Sequence, residues 1–98
     1  MSGYNNLNLD IEVIRALSED TRVEILQVIG NQELNASEIA SKFLSHSRPT
    51  ISHHLQIMKR AGILISQRYG KEIYYSVNMQ TLSRLAQKLL EFTSFGSF

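Results

Sequence analysis

The sequence predicts a single, mostly helical α+β domain: four helices lead into one β-hairpin, and a fifth helix follows it. Three observations predict this. Apolar residues recur at helical spacing in five segments, most of them opened by capping residues or closed by glycine. One pair of β-branched and aromatic runs, residues 63–68 and 73–77, flanks Tyr69-Gly70-Lys71-Glu72. No repeat, low-complexity tract or linker interrupts residues 1–98, so the expectation is one domain over the whole length. A chain of this size buries about 60–68% of its unfolded surface, enough for one modest core.

The first helix is expected from about Asn8 to Leu17, where Leu7, Ile11, Ile14 and Leu17 form a stripe. Asp10 and Glu12 in its first turn suit the helix dipole. Ser18 or Asp20 can cap a second helix that runs to about Ile29. Val23, Leu26 and Ile29 are its expected inward residues, widened by Ile25 and Val28, and Gly30-Asn31 ends it. Asn35-Ala36-Ser37-Glu38 is a capping-box variant that opens a short third helix carrying Ile39, Ala40, Phe43 and Leu44. Ser47 caps a fourth helix, whose first turn tolerates Pro49 because that position needs no N–H. Ile51, Leu55 and Met58 are its inner stripe and Gly62 stops it. The hairpin follows, with Gly70 supplying the positive φ of a tight turn. One of the adjacent residues Tyr74 and Tyr75 is expected in the core and the other at the surface. Asn78 caps a last helix bearing Leu82, Leu85, Ala86, Leu89, Leu90 and Phe92.

Composition removes several function classes. There is no Cys, which excludes disulfides, thiolate metal sites and thiol redox sensing. No apolar run approaches the roughly 18–20 residues of a membrane span, and the polar start, Met1 to Asp10, does not read as a signal peptide. The expected location is the cytoplasm, with no membrane partner. Net charge is +1, but its distribution is uneven. Residues 1–40 hold Arg15 and Arg22 against seven acids. Residues 41–71 hold Lys42, Arg48, Lys59, Arg60, Arg68 and Lys71 and no acid. An acid-free basic stretch beside an acidic one points to a polyanion partner.

Where those bases fall sharpens the expectation. Two short helices, a turn, and a helix polar on one face describe a helix-turn-helix. Opposite Ile51, Leu55 and Met58 lie Arg48, Pro49, Ser52, His53, Gln56 and Arg60. A guanidinium, a hydroxyl, an imidazole and an amide on one face suit base edges in a major groove. Ser47 and Thr50 suit phosphate, helped by the free N–H groups of the helix start. Lys59 adds a further base, and Arg68 and Lys71 at the hairpin tip can reach the neighbouring backbone as a wing. The expected partner is double-stranded DNA.

Thr21-Arg22-Val23-Glu24-Ile25-Leu26, Pro49-Thr50-Ile51-Ser52-His53-His54-Leu55, Ala61-Gly62-Ile63-Leu64 and Arg68-Tyr69-Gly70-Lys71 followed by Tyr74-Tyr75 resemble the ArsR/SmtB type of winged-helix repressor. The resemblance covers about residues 10–92. It implies a homodimeric DNA-binding transcriptional regulator, released by an effector that the sequence does not identify. It also implies pairing through the first and last helices. Leu7, Ile11 and Ile14 on the first, and Leu82, Leu85, Leu89 and Phe92 on the last, are the expected interface, an apolar surface too large for so small a core. The turn Leu44-Ser45-His46-Ser47 is one residue longer than the family pattern and lacks glycine. The metal ligands of the family's sensors are missing: there is no Cys, and from Met79 onward neither His nor Asp. No metal or other cofactor is therefore expected. His53 and His54 point about 100° apart and cannot chelate one ion from one helix. His54 is expected to pack beside Leu55. Ser52 with His53 or Asp20 lacks an oxyanion turn, so no enzyme is expected. The alternative is a winged-helix module that docks a protein and does not read DNA sequence.

Overall fold

The computed structural model describes residues 9–95, so Leu7 and Asn8 of the expected first helix lie outside it. The chain runs α1 (Ile11–Ala16), α2 (Asp20–Ile29), β1 (Leu34–Asn35), α3 (Ala36–Ala40), α4 (Arg48–Arg60), β2 (Leu64–Tyr69), β3 (Glu72–Val77) and α5 (Met79–Phe95). The expected order holds, with one addition. The wing is three-stranded rather than two-stranded: β1 pairs antiparallel with β3, Leu34 opposite Tyr75 and Asn35 opposite Tyr74, giving the order β1-β3-β2. Two residues are too few to show a period, so only the pairing reveals this strand.

Side chains at the helix starts decide the boundaries. Asp10 stands outside α1 as its cap and accepts from the N–H groups of Glu12 (3.1 Å) and Val13 (3.3 Å). That shortens the helix relative to the expected 8–17. The α2 cap is Glu19, not Ser18 or Asp20; its carboxylate accepts from the Thr21 N–H at 2.9 Å. The capping box of α3 is present in both directions, Asn35 to Glu38 N–H and Glu38 to Asn35 N–H. α4 is capped by Ser47 and ends in a Schellman motif. Gly62, at φ +85°, bonds the Lys59 carbonyl, and the Ile63 N–H bonds that of Met58. Met58 and Ile63, which flank that motif, are both fully buried. The hairpin turn is the two residues Gly70-Lys71, with φ positive only at Gly70.

The core contains Val13, Ala16, Ile25, Ile29, Ile39, Ile51, Leu55, Met58, Ile63, Leu64, Tyr75 and Val77. The inner stripe of α4 is the expected one. In α2 the buried positions are Thr21, Ile25 and Ile29, spaced by four along one face, and Val23 is exposed. In α1 the buried residues are Val13 and Ala16, so Ile11 and Ile14 face outward. α3 stops at Ala40, where the Ser41 hydroxyl bonds back to the Glu38 carbonyl. Phe43 then turns onto the core, and Leu44 is left entirely in solvent. Tyr75 is buried and Tyr74 half-buried, on opposite sheet faces.

α5 begins at the Asn78 cap, whose side chain accepts from the Thr81 N–H at 3.3 Å. Leu82 and Leu85 anchor it to the core; from Leu89 onward it runs past the domain with Leu89, Leu90 and Phe92 exposed. The radius of gyration, 15.6 Å, exceeds the roughly 13 Å of a compact domain of this length. Among the described residues no helix is long and apolar enough to cross a membrane.

The contrast between Leu44 and Leu55 is measurable. Leu55→Ala should lower unfolding free energy by about 2–5 kcal/mol, whereas Leu44→Ser should stay within about 0.5 kcal/mol of the parent in urea titrations. Similar losses for both would mean that the helix 3–helix 4 turn packs differently.

Candidate nucleic-acid interface

α4 carries the polar face, and its rotation is set by the stripe it buries. At 100° per residue, Pro49, His53, Gln56 and Arg60 lie opposite Ile51, Leu55 and Met58. Arg48, Ser52 and Lys59 fall on one flank, and Thr50, His54 and Ile57 on the other. Arg48, His53, Gln56, Lys59 and Arg60 are exposed and Ser52 is half-buried. At the N-terminal end the Ser47 hydroxyl accepts from the Thr50 N–H (3.3 Å) and lies 2.9 Å from the Thr50 hydroxyl. Two hydroxyls therefore stand beside Arg48; because Pro49 has no N–H and that of Thr50 is taken by Ser47, the hydroxyls and the guanidinium, rather than a set of free amides, are what this helix start offers a phosphate. Arg60 lies about 18 Å along the axis from Arg48. It lines a cleft with residues of α1 and α2.

The wing is joined to this face. Gln56 Nε2 donates to the Tyr75 hydroxyl at 3.4 Å, tying the middle of α4 to the central strand. Strand alternation puts Arg68 on the same sheet face as Leu64 and Ser66, the face that packs on α4, beyond the end of the core. Lys71 occupies the turn. The acids near the wing lie on the other face. Tyr69 donates to Glu33 (3.2 Å to each oxygen), which raises the tyrosine pKa, and Asn35 donates to Glu72 at 3.5 Å. The α4 side of the wing is thus basic and the opposite side carries the carboxylates.

Two contacts that sequence reasoning missed hold α4 at its other flank. Arg22 donates Nε to the Ala16 carbonyl and Nη1 to His54 Nδ1 (3.1 Å). Arginine has no acceptor, so His54 accepts there and carries its proton on Nε2. His54 is therefore a polar tether between α2 and α4, more than a residue packing beside Leu55. The buried Thr21 hydroxyl lies 3.2 Å from His46 Nε2, and His46 stacks edge-on against Phe43, which fixes the longer turn. The signal for both was the dipeptide Thr21-Arg22, whose partners lie 25 and 32 residues away. Among the described residues no three His, Asp or Glu side chains converge in a metal-binding geometry. Of the expected pairing residues, Ile11, Ile14, Leu89 and Phe92 are exposed, Leu82 and Leu85 are shared with the core, and Leu7 lies outside the described residues.

Residues 17–67, which span the end of α1 to the middle of β2, match the helix-turn-helix domain family. The chain is 38% identical over 84 residues to the transcriptional repressor SdpR of Bacillus subtilis, covering 86% of this chain and 92% of that protein. It is 37% identical to a cadmium resistance transcriptional regulatory protein CadC homolog of Staphylococcus aureus, covering 79% of this chain but 64% of the longer relative. Among solved structures, an ArsR-like transcriptional regulator from Rhodococcus superposes with a TM-score of 0.78 at 31% identity, covering 95% of this chain and 85% of that one.

The His54 tether makes stability depend on pH. Burial lowers the His54 pKa below its ordinary value; the charges of Arg22, His53 and His46 act in the same direction, and Glu19 opposes them. The unfolded chain therefore binds this proton more readily. Stability should be full above about pH 6.5 and decline as pH falls below it. His54→Gln should flatten that part of the curve in denaturation series, and an unchanged slope would assign it to another group.

Proposed function

Because the chain belongs to the ArsR/SmtB family of winged helix-turn-helix transcriptional regulators, we propose that it is a repressor that binds an inverted-repeat operator as a homodimer. Regulators of this family bind DNA and are not enzymes. The observation that carries the reading is the outer face of α4, wet along its length while the inner stripe is fully buried. The α4-facing side of the wing is basic and continues that face.

In this reading Arg48, Ser52, His53 and Gln56 face base edges from the major groove. Ser47, Thr50 and Lys59 hold phosphate, and Arg68 and Lys71 reach the flanking backbone. Arg60 lines the cleft against α1 and α2 and is left out of this footprint. One protomer offers one recognition helix and one wing, too few contacts for a tight specific site. Pairing through Ile11, Ile14, Leu89 and Phe92 makes the second half-site intramolecular. The two recognition helices then enter grooves roughly 34 Å apart, on half-sites about 10–10.5 base pairs apart or a multiple. With no Cys and no His or Asp after Asn78, release of DNA does not depend on a metal. The protein acts in the cytoplasm.

Duplex selection from a random pool, followed by affinity measurements, tests this. Six to eight neutralised phosphates per dimer give a slope of log affinity against log salt of about −5 to −7. A slope flatter than about −2 is incompatible with this footprint. Arg48→Ala should cost about 1–3 kcal/mol at the best site and relax preference at one base position. Lys71→Ala should weaken all sequences alike.

Leu89→Lys puts an unpaired charge in the pairing seam, at a cost of several kcal/mol. This variant should keep its helical content, sediment as a monomer, and lose at least about a hundredfold in specific affinity. A monomer that binds the full operator as tightly as the parent would refute the two-half-site mechanism.

A further inference from the structure

We infer that the cleft between α1, α2 and the C-terminal end of α4 binds a small organic carboxylate, and that this anion acts as an effector of the recognition helix. The effector role rests on the DNA-binding reading; the binding site does not.

The open cleft has a volume of about 290 Å³ and is lined by three arginines, Arg15 from α1, Arg22 from α2 and Arg60 from α4. Ala16, Ile57 and Ala61 supply apolar lining. One acid, Glu12, lines it, and that acid is engaged with Arg15 at 3.3 Å. Two positive charges are therefore left uncompensated in one concavity. Arg60 has no hydrogen-bond or ion-pair partner among the described residues. Arg22 uses two of its N–H groups on the Ala16 carbonyl and His54, which leaves three of its five. Guanidinium forks match the planar, two-oxygen geometry of a carboxylate, and pairs of them are bidentate receptors for it. The apolar lining suits a short hydrocarbon or aromatic part, which inorganic phosphate lacks.

The same residues carry the coupling. Arg22 tethers α4 through His54, and Arg60 belongs to the last turn of α4. A carboxylate that engages both changes the hold on the helix that faces DNA. By linkage, DNA then changes the affinity for the carboxylate by the same factor. The cleft lies on the Ile57 flank of α4, away from the Gln56 tie to the wing.

The test uses the full chain with benzoate, its uncharged analogue benzamide, and inorganic phosphate at fixed ionic strength. Backbone amide NMR should show saturable benzoate shifts centred on Ala16, Ile57 and Ala61, with none from benzamide and a weaker response to phosphate. Arg60→Gln, at an exposed position, should weaken benzoate by about tenfold, the loss of one charge-assisted bond, and Arg15→Gln should weaken it too, because it frees the Glu12 carboxylate to repel the anion. Saturating benzoate should shift the parent's operator affinity by about fivefold, and that shift should shrink in Arg60→Gln. Equal shifts from benzamide, undiminished binding in both variants, or an unchanged operator affinity at saturation would overturn the effector site. Tighter binding of phosphate than of benzoate would overturn the carboxylate assignment. Failure of the parent to bind any duplex would instead count against the regulator reading, and the titration of the free protein would still decide the cleft.

Discussion

A helix that reads DNA must be buried completely on one side and left wet on the other, and α4 meets both demands with thirteen residues. Ile51, Leu55 and Met58 have no exposed surface. They are packed from several directions, by α1, α2, α3 and β2. Because a close-packed interior resists small displacements, this stripe fixes the rotation of the helix. Everything on the opposite face inherits its position from it. The Schellman motif at Gly62 then turns the chain directly into β2, with Met58 and Ile63 buried on either side. The wing therefore takes its place relative to α4 from the same core.

Polar contacts refine what the core fixes. On one flank Arg22 reaches His54 and the end of α1; on the other Gln56 reaches Tyr75 of the central strand. These bonds are modest in energy, about 0.5–1.5 kcal/mol each. They have directions, which apolar packing lacks, and they connect α4 to elements on both sides.

Charge follows the same division. The acid-free stretch places Arg48, Lys59, Arg68 and Lys71 on α4 or the wing, while Glu33 and Glu72 are engaged on the far face of the sheet. The formal charge of +1 is thus a poor guide to the field a polyanion meets. At the opposite end, α5 leaves the core after two anchoring leucines and carries Leu89 and Phe92 into solvent. That exposed apolar end is what the proposed pairing would cover.

Much of this was legible in the chain. The capping residues Asn35, Ser47 and Asn78, the glycines at 62 and 70, and the stripe of α4 depend on contacts within a few residues, and periodicity and turn chemistry report such contacts directly. The polar face of α4 and the exposed part of α5 followed from the same spacing. Other features required the tertiary structure. α2 is capped by Glu19, which was not among the candidates, and its buried stripe centres on Thr21, Ile25 and Ile29 rather than Val23, because packing against the rest of the core decides which face of a helix is buried. β1 exists only because β3 offers it an edge. Leu44 went to solvent and Phe43 to the core because α3 ended early, at a hydroxyl bonding back to its own helix. Thr21-Arg22 stood out as a motif, but its roles came from His46 and His54. Arg15, Arg22 and Arg60 meet in one cleft although they are spread over 46 residues. The sequence by itself determined the five helices, the two hairpin strands and which face of α4 is wet, since those are local balances of propensity and burial. Only the tertiary structure decided which distant polar groups meet, because a side chain of several rotatable bonds has no partner until the core has packed.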